Sequence, residues 1–175
     1  MSVEVTEEQR QAVLKEMVLR DHLFFFRYFF KVREGVRFRV NWHHKRVCDA
    51  LEDVIQGKIK RLIINVPPGS SKTELAVITL ISRGLAINPR ARFLHLSYSS
   101  ELAELNSAKA KELVLSTEYQ SLFPLPIKSD SNARGRWNVV GEDGVSIGGC
   151  YATSTLGQVT GFRAGHMAEG FQGAI

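Results

Sequence analysis

Cysteine is scarce in this chain of 175 residues: Cys48 and Cys150 are the only two. They lie about a hundred positions apart without C-x-x-C spacing, which excludes a disulfide scaffold, a redox pair and a zinc finger and points to free thiols in a reducing compartment. No apolar run approaches the roughly 18 residues that a membrane helix needs. The opening MSVEVTEEQR is acidic and polar, without the pattern of a signal peptide. There are five prolines, no internal repeat and no low-complexity linker, so nothing divides the chain. Nor is there a run of five like charges. The net charge of +5 comes from 23 basic and 18 acidic residues spread over both halves. Such a surface is compatible with a polyanionic partner but does not require one.

What is present is ordinary globular material. Hydrophobic residues make up 44% and charged residues 23%, enough for one core without staples. The reading is a single domain over residues 1–175, expected in the cytoplasm. Thr6-x-x-Gln9 is a capping-box pattern, and Val13, Leu14 and Met17 follow on one helical face. A second helix from Asp21 carries seven large apolar residues between Leu23 and Phe30, more than one amphipathic stripe needs, and so is expected to be buried on several sides. Val47, Leu51, Val54 and Ile55 repeat at helical spacing up to a stop at Gly57.

The period then changes. Leu62-Ile63-Ile64-Asn65-Val66 predicts a strand buried on both faces. Thr73 to Ile87 predicts a helix, and Phe93 to Tyr98 a second strand. Ser99 or Ser100 caps a further helix bearing Leu102, Leu105, Leu113 and Val114. Trp137 to Val140, a Gly141–Gly144 turn, and Val145 to Thr153 predict an antiparallel hairpin. Glycines punctuate the stretch from Gly157 to Gly173. The order is that of an α/β protein with parallel crossovers.

The most informative segment joins the predicted strand to the helix: Val66-Pro67-Pro68-Gly69-Ser70-Ser71-Lys72-Thr73-Glu74. Strand, tight small-residue loop, Lys-Thr and helix start are the context of a phosphate-binding loop. The helix N-terminus offers unpaired N–H groups and partial positive charge. Gly69, Ser70, Ser71, Lys72 and Thr73 can donate amides to phosphate oxygens, Lys72 can neutralise β/γ charge, and the Thr73 hydroxyl can sit on Mg²⁺. The strict pattern G-x-x-x-x-G-K-[ST] is not met. Val66 stands at the first glycine and Ser71 at the second, where a left-handed backbone would cost serine roughly 1–2 kcal/mol. The competing reading is a Pro-Pro turn with a serine cap and a surface lysine.

With these residues in view, the stretch from about Phe38 to Leu96 resembles the ATPase domain of the large terminase subunit of tailed bacteriophages. R-L-I-I-N-V-P-P-G-S-S-K-T-E-L matches that family's deviant phosphate loops after a double proline. The aromatic N-terminal helix, Trp42-His43-His44 opening the next helix, N-P-R-A-R-F-L-H-L-S-Y-S, and Gly157-x-x-Thr160-Gly161 are similar as well. The resemblance implies a P-loop NTPase core, a mostly parallel sheet flanked by helices and incomplete at its C-terminal end. It implies a helical lead-in and adenine side over 1–60, the phosphate loop and βα units over 61–127, and a hairpin with a glycine-rich loop over 128–175.

The implied function is ATP-driven translocation of double-stranded viral DNA into a procapsid in the host cytoplasm, by a phage or prophage protein. The implied partners are the terminase small subunit, the portal protein and further copies in a ring, with no membrane. The implied cofactors are ATP and Mg²⁺. Pro68, Gly69, Ser70, Ser71, Lys72, Thr73 and Glu74 carry over as the nucleotide-binding loop, with Lys72 on the phosphates and in catalysis and Thr73 on the metal. Trp42 and His43 carry over to the adenine side. Arg163 is a candidate arginine finger, against a surface loop arginine. His43 and His44 read as helix-start histidines rather than metal ligands, since no third ligand is spaced to join them.

Such an ATPase also needs an acidic pair after a later strand. None of the acids after Glu74 follows four consecutive apolar residues. In the family that strand follows a glycine-rich loop, and Ala174-Ile175 would be its first residues, so the chain reads as a fragment that also lacks the nuclease half. Losing a positioned base costs about 10²–10⁴ in rate, so weak nucleotide binding and negligible hydrolysis are expected. Two other readings stay open: a superfamily-two helicase-like P-loop ATPase, and an inactive prophage remnant with only a docking role.

Overall fold

A computed structural model describes residues 6–128, 134–157, 159, 162 and 164. It is mixed α/β: a small three-stranded mixed sheet flanked by helices. Among the described residues, no helix is long and apolar enough to cross a membrane.

The N-terminal third is a helical layer. Helix α1 (Glu7–Arg20) starts at the expected capping box, with Thr6 accepting from the Gln9 amide and Gln9 closing back on Thr6. Its core face differs from expectation: Val13 and Met17 are exposed and Val18 is the buried residue. Helix α2 (His22–Glu34) is capped by Asp21, whose carboxylate accepts from the Phe24 amide at 2.6 Å. It ends on left-handed Gly35, where a β-carbon would be strained.

The aromatic surplus on α2 is used on two sides. Phe25 and Phe29 pack against Tyr119, at ring separations of 6.4 and 5.6 Å, while Phe26 and Phe30 pack against Phe38 at 4.6 and 4.9 Å. Helix α3 (Trp42–Ile55) buries Val47, Cys48, Leu51 and Ile55 and stops before left-handed Gly57.

The predicted strand at 62–66 is a correction. The segment carries no strand pairing among the described residues. Leu62 and Ile64 pack against the core, but Ile63 between them is 86% exposed. The apolar composition was read as burial on both faces, whereas only alternate side chains are covered, the pattern of a strand with one face occupied. The next helical run begins at Lys72. It opens with a π-helical turn (Glu74–Thr79) and continues as α4 (Leu80–Ile87).

Strand β1 (Arg92–Ser97) leads to helix α5 (Ser100–Leu115), capped by Ser99. The core face of α5 also differs from expectation. Leu102 and Leu105 are exposed, and the small residues Ala103, Ser107 and Ala110, with Leu113 and Val114, take the buried side. A short helix, α6 (Thr117–Leu122), precedes the hairpin of β2 (Arg136–Val140) and β3 (Ser146–Ser154). β3 lies in the middle of the sheet, parallel to β1 and antiparallel to β2. Gly148 and Gly149 let it approach closely: a β-carbon on Gly148 would run into the carbonyl oxygens of Pro89 and Ala91. Trp137 on β2 is wholly buried and donates its indole N–H to Ser107 Oγ at 3.0 Å, tying the sheet to α5.

Buried polar groups lock the helical layer to α4. Arg83 is 1% exposed. It donates to the Leu19 carbonyl at 2.6 Å and pairs with Glu52 at 2.8 Å, so one guanidinium caps the last turn of α1 and ties down α3. His22 lies nearby, its Nε2 at 3.1 Å from the Leu75 carbonyl in the π-helical turn. Burial, reinforced by the Arg83 charge, depresses the His22 pKa to about 3 against the pull of the Leu75 carbonyl. The ring is therefore neutral near pH 7, and its Nε2–H donates to that carbonyl.

Candidate phosphate loop

The candidate site is built from the junction between the extended segment and the helix at Lys72. Pro67 and Pro68 are exposed and lead into a turn. Gly69 has φ 80, the value a type II turn demands of its third residue, and no heavy atom lies within 4 Å of where its β-carbon would be. Ser71 has φ 55 and is the only non-glycine with positive φ among the described residues. A left-handed serine followed directly by helical Lys72 is the pairing of backbone conformations found in anion-binding nests. The strain anticipated for a serine at the second glycine position is thus present. Backbone strain of this kind costs of order 1–3 kcal/mol and concentrates at functional sites.

Among the described residues, the amides of Gly69, Ser70, Ser71, Lys72 and Thr73 donate to no protein acceptor. The Ser71 carbonyl, by contrast, takes the Leu75 amide at 3.0 Å and so starts the helix. Lys72 and Thr73 are exposed, and neither side chain is paired within the described residues. Five free amides, an ammonium and a hydroxyl therefore lie within one run of five residues at a helix start. They can bind a polyanionic group and one hydrated cation.

Glu74 opens the π-helical turn directly after the loop. Its carboxylate takes Arg33 Nη1 at 3.0 Å, and Arg33 also reaches Glu34 at 3.3 Å. The pair fastens α2 to the first turn after the loop. Arg33 was not singled out in the sequence, because an ion pair across 41 positions leaves no local signature.

The proposed adenine-side residues do not share a described cleft with the loop. Trp42 is 73% exposed and lines a cleft of about 400 Å³ with Val40, Asn41, Lys45, Arg46 and Asp49, none of them loop residues. His43 is half-buried, its ring 3.9 Å from that of His44, and its Nε2 is buried with no partner among the described residues. His44 Nδ1 accepts from the Asn41 amide at 2.9 Å, and burial followed by the neighbouring His43 lowers its pKa, so it serves as a neutral cap. Arg163, Thr160 and Gly161, like Ala174 and Ile175, lie outside the described residues.

Replacing Ser71 with glycine tests the strain. Relief of roughly 1–2 kcal/mol, less the roughly 0.5–1 kcal/mol that glycine's freedom costs, leaves a net gain of about 0–1.5 kcal/mol in urea unfolding. A loss of that size would show that the serine side chain, not the backbone, stabilises the loop.

Compared with protein-family models, with characterised proteins and with solved structures, the chain gives no significant match.

Proposed function

We propose that residues Gly69–Thr73 cradle the terminal phosphates of a nucleoside triphosphate, with Lys72 on the β/γ oxygens and the Thr73 hydroxyl on Mg²⁺. The observation that carries this reading is left-handed Ser71 immediately before a helix-opening Lys-Thr, with the loop amides free. A simple serine-capped turn has no need of a strained residue at that position. His43, with its unpartnered Nε2, is the better of the two adenine-side candidates.

On this reading the chain is the ATP-binding part of a P-loop core. The resemblance of its motifs to the large terminase subunit makes a phage or prophage DNA-packaging motor of the host cytoplasm the proposed context. ATP and Mg²⁺ would be its cofactors. Duplex viral DNA, the small subunit, the portal protein and further copies in a ring would be its partners. Nucleotide binding is the property that the loop geometry itself predicts.

The direct test is calorimetric titration with ATP, with and without Mg²⁺. Saturable binding that tightens with Mg²⁺ and raises the unfolding temperature is expected, since a ligand that binds only the folded state stabilises it. Absence of any heat and any thermal shift at millimolar MgATP would remove the proposal.

A further inference from the structure

Outside the loop, the most distinctive surface is the one around Trp42. Residues 35–49 contain four cations, Arg37, Arg39, Lys45 and Arg46, against one carboxylate, Asp49, which lines the same cleft as Lys45 and Arg46. All four are exposed, and none forms a salt bridge among the described residues. Some cations elsewhere are paired, Arg33 with Glu74, Lys58 with Asp53 and Arg83 with Glu52. Phe38 sits between the two arginines and is packed into the aromatic cluster at 4.6 Å from Phe26, which pins this stretch of chain to the core. Trp42 is held edge-on by His43 at 5.9 Å and is otherwise open. Lys45 and Arg46 line the same cleft of about 400 Å³ as the indole, within the roughly 300–1,000 Å³ of small-ligand sites.

We infer that this surface binds single-stranded nucleic acid, with an unpaired base stacked on Trp42 and the adjoining phosphates held by Arg37, Arg39, Lys45 and Arg46. An exposed indole beside unneutralised cations is the combination that sequence-tolerant single-strand binders use, since every base offers a π-face. Base pairs in a duplex keep those faces stacked inside, so a duplex uses the cations but not the indole. The cleft contains no loop residue, and the inference therefore stands apart from the phosphate-loop proposal.

The test is titration of the whole chain with oligothymidylate, followed by tryptophan emission. The chain has two tryptophans; Trp137 is fully buried, so a quench of the solvent-exposed component reports Trp42. Four phosphate contacts predict a slope of about −3 for log affinity against log salt, reduced by roughly 0.7 for each cation removed. By anisotropy of an end-labelled oligothymidylate, since this variant lacks the reporting indole, Trp42→Ala is expected to weaken binding roughly ten- to a hundred-fold, as for one stacked base. The double variant Arg37→Ala, Arg39→Ala should flatten the salt slope while the quench persists. An unchanged Trp137 emission certifies that each variant is folded, and Lys72→Ala should bind the oligonucleotide as the parent does.

Three results would each overturn the inference. The first is the absence of a quench at low salt. The second is equal binding of a blunt duplex with Trp42 unaffected, which would leave a backbone-only surface. The third is a Trp42 quench by MgATP that displaces the oligonucleotide, which would make the cleft a mononucleotide site.

Discussion

Lys72→Ala is expected to weaken triphosphate binding roughly 10- to 150-fold, the equivalent of the roughly 1.5–3 kcal/mol that a charged hydrogen bond contributes. Lys72 is exposed and unpaired in the described structure, so its removal should change stability by no more than about 0.5 kcal/mol. That separation of effects matters, because a lysine that merely decorates a helix start would change neither quantity. Calorimetry of parent and variant, with unfolding curves on the same samples, reads both. Equal affinity in the two proteins would mean that the amides bind without the ammonium or that the loop is not the site. Thr73→Ala provides the companion result: binding should lose most of its dependence on Mg²⁺ while keeping the charge attraction of Lys72.

Arg83→Ala is expected to destabilise the fold by about 3 kcal/mol, the low end for breaking a buried pair because Glu52 keeps 23% of its side chain exposed. Three consequences add up there. The Glu52 carboxylate loses its 2.8 Å partner, the Leu19 carbonyl loses its 2.6 Å donor, and the stem of a fully buried side chain leaves a void. For a domain of this size the unfolding temperature should fall by roughly 6–12 °C. Replacing both partners, Arg83→Met with Glu52→Leu, should recover much of the loss, because the uncompensated charge goes with its partner. A single variant within 1 kcal/mol of the parent in urea unfolding would show that the pair does not hold the three helices together.

Why some of this molecule is legible in sequence and some is not follows from the range of the interactions. Thr6, Asp21 and Ser99 cap their helices as their positions anticipate, because each acts on an amide three residues away. The hairpin and β1 were readable from alternation and turn glycines. Ser71 was legible in an informative way: its place in the loop pattern implied a left-handed backbone, and φ 55 is what the chain adopts.

The segment at 62–66 shows where local reading fails. Its apolar run cannot report whether a neighbouring strand is there to pair with it or which of its faces is covered, and Ile63 lies on the uncovered one. Leu102 and Leu105 fail similarly: the sheet approaches α5 so closely that small residues win the inner face. Arg83, by contrast, carries a local signature. It falls four positions after Thr79, beside the apolar stripe of its helix, where a cation must either find a partner or break the core.

The central claim is that the amides of Gly69 to Thr73 converge on a ligand's terminal oxygens, and amide NMR on isotopically labelled chain tests it most directly. Addition of MgATP should move the Gly69, Ser70, Ser71, Lys72 and Thr73 resonances together, most strongly at Ser71 and Lys72, and leave Trp137 in the core unmoved. Saturating MgATP that leaves those five amides where they stand would contradict the account, whatever else in the spectrum shifts.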